Sequence, residues 1–180
     1  MKKLLWIVLV IAALIAGFYA FNSFIYNEKQ NNSVGLEDYK NIAYAIDGQS
    51  VRLVNGRAEV EGAPGSASKT VTQYFGNVAK GDLNGDGVPD LAFLLTQNTG
   101  GSGTFYYVVV ALQHADNSYT GTNAILLGDR IAPQSTEIRN GELVVNYADR
   151  KPGEPMTAAP SLGESVYIKV SGTTLGKIPY

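Results

Sequence analysis

A mainly β chain, folding as a compact antiparallel β-sandwich or open barrel behind a single N-terminal transmembrane helix, is what the sequence predicts on three observations. Short runs rich in β-branched and aromatic residues recur between Gly, Pro and Asn turn signals from about residue 39 onward. No segment beyond the N-terminus sustains apolar residues at the 3.6 period of a long helix. The N-terminus differs in kind: Leu4 to Phe21 is apolar throughout, with neither a charge nor a proline.

That first segment, residues 1–22, is predicted to be a membrane anchor. Its eighteen apolar residues, at about 1.5 Å of helical rise each, reach roughly 27 Å, close to the hydrocarbon thickness of a bilayer. Lys2 and Lys3 are the only charges before Glu28. The positive-inside rule therefore keeps the N-terminus cytoplasmic and places the C-terminal domain outside the cytoplasm, periplasmic or extracellular. Trp6 and Tyr19 sit where interfacial aromatics are favoured. A cleaved secretory signal begins in the same way, but its apolar core usually runs about 7 to 15 residues and ends in small-x-small. Here Leu14 precedes Ala16 and Phe18 precedes Ala20, so an uncleaved single-pass anchor is favoured. The chain has no cysteine, which excludes a lipid anchor through an N-terminal Cys and any disulfide.

Residues 23–38 are polar and aperiodic and read as a linker; as a flexible coil it spans on the order of 20 to 25 Å. Residues 39–172 form the extracytoplasmic β domain, long enough to bury one core, and residues 173–180 a tail. Leu36 to Ala45 has room for a turn or two of helix, while Asn41 to Asp47 alternates. Val51 to Val54, Asn55-Gly56 and Arg57 to Glu61 read as a hairpin, since Asn-Gly supplies the two positive-φ residues of a type I′ turn. Thr70 to Val78, Leu91 to Gln97 and Thr104 to Leu112 are predicted strands, the last two so apolar that a central position is implied. Further strands are predicted at Ala124 to Leu127, Thr136 to Arg139, Leu143 to Tyr147 and Val166 to Val170, with Asn140-Gly141 as another hairpin turn. Asp149 to Gly163, with three prolines, is a long irregular excursion.

Between the strands at Thr70 to Val78 and Leu91 to Gln97 lies Asp82-Leu83-Asn84-Gly85-Asp86-Gly87-Val88-Pro89-Asp90. Oxygen-bearing side chains stand at positions 1, 3, 5 and 9, with Gly87 at position 6 where a sharp bend is needed. Ca²⁺ takes six to eight oxygens, and alternate-residue spacing turns Asp82, Asn84 and Asp86 toward one centre, with the Val88 carbonyl and Asp90 completing the set. Three carboxylates in nine residues repel one another unless neutralised. Asx-turns without an ion are the simpler alternative. Magnesium fits less well, because it demands near-octahedral geometry.

An EF-hand would carry a bidentate Glu at position 12, where this chain has Phe93. Instead the loop runs into a strand, and in this it resembles the calcium loops of FG-GAP and VCBS-type β repeats, whose D-x-[DN]-x-D-G-x-x-D pattern is matched by Asp82, Asn84, Asp86 and Asp90. One copy alone excludes a propeller. A wider pattern, Gly81 to Gly87, Thr99 to Tyr107 and Leu127 to Arg130, is similar to bacterial envelope proteins and lipoproteins. The resemblance implies an envelope location and a calcium role for the loop, and no more.

Composition narrows the function. Beyond the anchor there are 12 Lys plus Arg (14 minus Lys2 and Lys3) against 16 Asp plus Glu, opposite to the basic footprint of nucleic-acid binding. His114 is the single histidine, and without cysteine a nucleophile–base pair has little to draw on. Gly100 to Gly103 lacks the Lys and helix of a phosphate loop. The expectation is a non-enzymatic binding or structural module of the envelope that takes Ca²⁺ and engages an envelope protein or glycan. The alternative is an envelope hydrolase acting on glycans, or its accessory domain, which requires an acidic pair that meets only in space. Tyr106, Tyr107, Tyr119, Tyr147 and Tyr167 are either ordinary strand packing or an amphipathic binding face.

Overall fold

The computed structural model describes residues 16–22, 38–61 and 68–179. Among them the chain is mainly β, with strands pairing antiparallel in three sheets and no closed barrel. β1 (Ala43–Ile46) and β2 (Gln49–Arg52) make a small hairpin. The largest sheet orders β3 (Arg57–Glu61), β4 (Lys69–Gly81), β5 (Asp90–Asn98) and β6 (Phe105–Gln113) side by side. β7 (Tyr119–Gly121) and β8 (Ile125–Asp129) both pair with β6, at its C-terminal and N-terminal ends respectively. The remaining strands, β9 (Ala132–Arg139), β10 (Glu142–Asp149), β11 (Leu162–Ser171) and β12 (Thr174–Ile178), form a meander.

The apolar runs of β5 and β6 follow from burial on both faces. Ala92, Leu94, Val108, Val110 and Leu112 point into a core shared with Leu143, Val145 and Ile168 of the meander. Their alternate neighbours Leu91, Phe93, Leu95, Val109 and Ala111 point the other way, into a second core roofed by Tyr39, Tyr44, Ile46, Val51 and Leu53. A strand covered on one side alternates; one covered on both has no position left for a polar residue. In the second core Phe93 is ringed by Tyr39, Tyr44 and Tyr74 at 5.1, 5.6 and 5.4 Å between ring centroids, within the range of favourable aromatic pairs.

The β1–β2 roof is bonded to the large sheet through the amides of Ala45 to Thr122 O (3.1 Å) and Ala124 to Ala45 O (2.7 Å). This brings backbones so close that a Cβ on Gly121 would lie 2.1 Å from the Ala43 carbonyl oxygen. Only glycine fits there.

Several expectations need correction. Asn55-Gly56 does turn, with φ of 52° and 77°, and Val54 and Arg57 exchange backbone bonds across it. The flanking strands then part: β2 pairs with β1, and β3 with β4. The reason is that Val51 and Leu53 are committed to the second core, while Gly56 is tied to Lys40 and Tyr74. The true hairpin is closed by Asp47-Gly48, with φ of 50° and 78°. Among the described residues of the Leu36 to Ala45 stretch, helix is limited to a 3-10 turn at Asp38–Lys40, because Tyr44 and Ile46 must alternate inward as a strand. The tail is not a tail: β12 pairs with β11, and Leu175 is buried in the first core. Most of the predicted linker and anchor lies outside the described residues. Residues 16–22 are helical, and no helix among the described residues is long and apolar enough to cross a membrane.

Candidate functional site

The nine-residue loop joins β4 to β5, and its bend rests on two glycines in the left-handed region, Gly85 at φ 82° and Gly87 at φ 83°. Side chains at alternate positions fold back on the loop's own amides. Asp82 Oδ1 accepts from Gly85 N at 2.7 Å and its Oδ2 from Gly87 N at 2.9 Å. Asn84 Oδ1 accepts from Asp86 N at 2.9 Å, and Asp86 Oδ1 from Val88 N at 2.7 Å. The bonds of Asn84 and Asp86, each to the amide two residues on, are Asx-turns of the kind that let Asp and Asn shape a tight loop. The amides of Gly85 and Gly87 hold the Asp82 carboxyl below its ordinary range, since both favour the anion.

Asp90 plays a different part. Fully buried at the loop's end, it accepts from Leu83 N through Oδ2 and from Gln113 N through Oδ1, both at 2.9 Å. One carboxylate thus pins the start of the loop to the end of β6. Burial pushes its carboxyl upward; the two amides oppose this, and the negative charges of Asp86 and Asp82 reinforce it. Among the described residues none of the ion pairs reaches Asp82, Asp86 or Asp90.

The structure therefore brings Asp82, Asn84, Asp86, Val88 and Asp90 into one loop. The donor set is all oxygen and carries three negative charges, which suits a hard divalent ion. The carboxylates do not, however, converge on a common centre: among the described residues no group of three or more acidic, His or Cys side chains is placed to hold a metal. Asp86 Oδ2 instead accepts from Asn84 Nδ2 at 3.0 Å.

The wider pattern of glycines and Asp-Arg has a structural explanation. Asp129 Oδ1 accepts from Thr104 N at 2.8 Å and Arg130 N donates to Thr104 O at 2.7 Å, closing the glycine turn against β8. Arg150 then donates to the carbonyls of Asp129, Arg130 and Ala158, holding the proline-rich excursion in place. His114 lies in the β6–β7 turn with Nε2 2.8 Å from Thr120 Oγ1. The tyrosines divide between layers, Tyr107 into the second core and Tyr147 into the first, so they do not share one face.

Sequence reading missed a cleft of about 430 Å³ where the β1–β2 turn meets β3, β4 and β5, lined by Asp47, Glu61, Thr72 and Gln97 among others. Two of its lining residues, Thr72 and Gln97, are polar and buried opposite each other on β4 and β5. The chain matches no family model, no curated protein and no solved structure.

Proposed function

We propose that residues 39–172, together with β12, form a calcium-binding, non-enzymatic binding or structural module of the bacterial envelope, built as a β-sandwich and tethered by the N-terminal helix. The observation that carries this reading is the loop's uncompensated charge: three carboxylates, one of them fully buried, with no cationic side chain among the described residues in an ion pair with any of them. A buried carboxylate is costly unless paired or metal-bound. Asp82, Asn84, Asp86 and Asp90 would offer side-chain oxygens and Val88 its carbonyl; the bound ion would neutralise their charge. Binding requires Asn84 and Asp86, both exposed, to give up their mutual hydrogen bond. The tether is supported by residues 16–22, a helical stretch on which Phe18, Tyr19 and Phe21 are each about two-thirds exposed, an apolar surface unsuited to water.

Thermal unfolding of the full chain in detergent, with calcium and with chelator, tests the proposal. An ion bound only by the folded state adds RT ln(1 + [L]/Kd), about 2.7 kcal/mol at one hundred times Kd. For a chain of this size that raises Tm by roughly 5 to 10 °C. A Tm indifferent to calcium up to millimolar concentrations would sink the reading.

A further inference from the structure

Asparagine is followed by glycine three times, at Asn55-Gly56, Asn84-Gly85 and Asn140-Gly141. Such a pair is chemically reactive, because glycine has no side chain to keep its own amide nitrogen away from the preceding side-chain carbonyl. The glycine nitrogen attacks Asn Cγ: the N–Cγ bond forms, the Cγ–Nδ2 bond breaks, and ammonia leaves carrying the proton that the glycine amide gave up. Water then opens the cyclic imide at either carbonyl, to aspartate or isoaspartate. The dipeptide is the same in all three places, and its surroundings differ.

At two of them the nitrogen is already engaged. Gly56 is buried, and its N donates to Lys40 O at 2.9 Å; a Cβ there would meet Tyr74 Cβ at 3.0 Å, which shows how closely the turn is covered. Gly85 N donates to the Asp82 carboxylate at 2.7 Å. The Asn84 side chain is in turn held on Asp86, accepting from its N at 2.9 Å and donating to its Oδ2 at 3.0 Å. Attack at either place must first break these bonds.

Asn140-Gly141 has the backbone of the first pair, φ 52° and 73° against 52° and 77°, and none of its cover. Both residues are exposed, nothing lies within 4 Å of where a Gly141 Cβ would stand, and among the described residues Gly141 N donates to no acceptor. The Asn140 side chain borders an open hollow of about 250 Å³ with Glu142, Val144 and Tyr167, so it has room to swing back onto its own main chain.

We propose that Asn140 is a self-modification site, the place where the folded chain loses a side-chain amide and gains a carboxylate. The aspartate product keeps the turn, since Asp also tolerates a left-handed backbone. The isoaspartate product carries the main chain through the side chain, adding a methylene between Arg139 and Glu142 and breaking the register that pairs them across the β9–β10 turn. Calcium has no part in this, so the proposal and the calcium reading stand or fall separately.

The test is peptide mapping by mass spectrometry of the full chain, aged in mild alkali with chelator, once folded in detergent and once unfolded in urea. Replacement of NH₂ by OH is read at each of the three asparagines. Unfolded, all three should convert at similar rates. Folded, Asn140 should convert first, with Asn55 and Asn84 slower by about fivefold or more, as the loss of a hydrogen bond implies. Asp82→Ala releases Gly85 N and should speed Asn84 by about fivefold or more, the effect of one charge-assisted bond. Asn55 should not change in that variant; were it to speed up equally, general unfolding would explain the gain, and the comparison of sites in the folded wild type would carry the test alone. Folded-state conversion of Asn55 or Asn84 as fast as that of Asn140, or equal slowing of all three on folding, would each overturn the proposal.

Discussion

Asp90 holds two backbone amides from different parts of the chain, and removing it has a cost that follows from the geometry. In Asp90→Ala, Leu83 N and Gln113 N both lose their acceptor. A buried donor left unsatisfied costs about 1 to 3 kcal/mol, so the pair costs about 2 to 6 kcal/mol. Part is returned, because the wild-type chain disfavours the charged carboxylate by burying it; the net loss expected is about 2 to 4 kcal/mol. Asp90→Asn keeps one acceptor and turns an amide donor toward the other N–H, for an expected loss of about 1 to 3 kcal/mol. Against a typical total of about 5 to 15 kcal/mol, either loss is large. Urea unfolding of the full chain in chelator reads it as a lower midpoint at unchanged slope. Calcium should stabilise the wild type and leave Asp90→Ala unmoved. A loss below about 0.5 kcal/mol for Asp90→Ala, the range of an ordinary surface change, would refute the role of this carboxylate as the strut between loop and β6.

Three other predictions follow from separate parts of the chain. The Asp82 carboxyl is held low in the folded state, so its contribution is present above the unfolded carboxylate range and lost as pH falls through the lower folded value; the Tm gap between wild type and Asp82→Asn in chelator should close in acid, and a gap that widens there contradicts the sign. Gly121→Ala places a methyl 2.1 Å from the Ala43 carbonyl, and should either displace the β1–β2 roof or prevent folding, seen as lost amide protection across Ala43–Ile46; wild-type Tm in this variant would mean the approach is looser than described. Carbonate-washed membranes should retain the full-length protein with its N-terminus upstream of Asn22, whereas a soluble form beginning after Ala16 or Ala20 would identify a cleaved signal.

The fold class was legible because turn residues and β-branched runs are local signals. Asn140-Gly141 closes β9 onto β10 as its dipeptide implies, and the density of apolar residues in β5 and β6 correctly marks central strands. Partner choice was not legible. Asn55-Gly56 makes the turn its sequence specifies, yet which strands pair beyond it depends on Val51 and Leu53 finding the second core, a long-range matter. Thr174–Ile178 lacks the density of a core strand, with Leu175 its sole buried side chain, and so reads as tail. For the loop, spacing implies one centre for these side chains, whereas in the structure Asp90 faces the protein interior and β6 and Asn84 and Asp86 face water. The cleft was invisible because Asp47, Glu61 and Gln97 belong to three strands or turns and meet only through the sheet.

The central claim is that this loop is a calcium site, and calorimetric titration of Ca²⁺ into the full chain tests it most directly. The account predicts one ion per chain with Kd near the 10⁻⁴ to 10⁻³ M of extracellular modules, on the order expected for a single loop. Asp82→Ala and Asp86→Ala should abolish the heat, and Asp116→Ala, with its carboxylate engaged by Ser118, should leave it intact. No heat with wild-type protein, or an equal loss in all three variants, would contradict it.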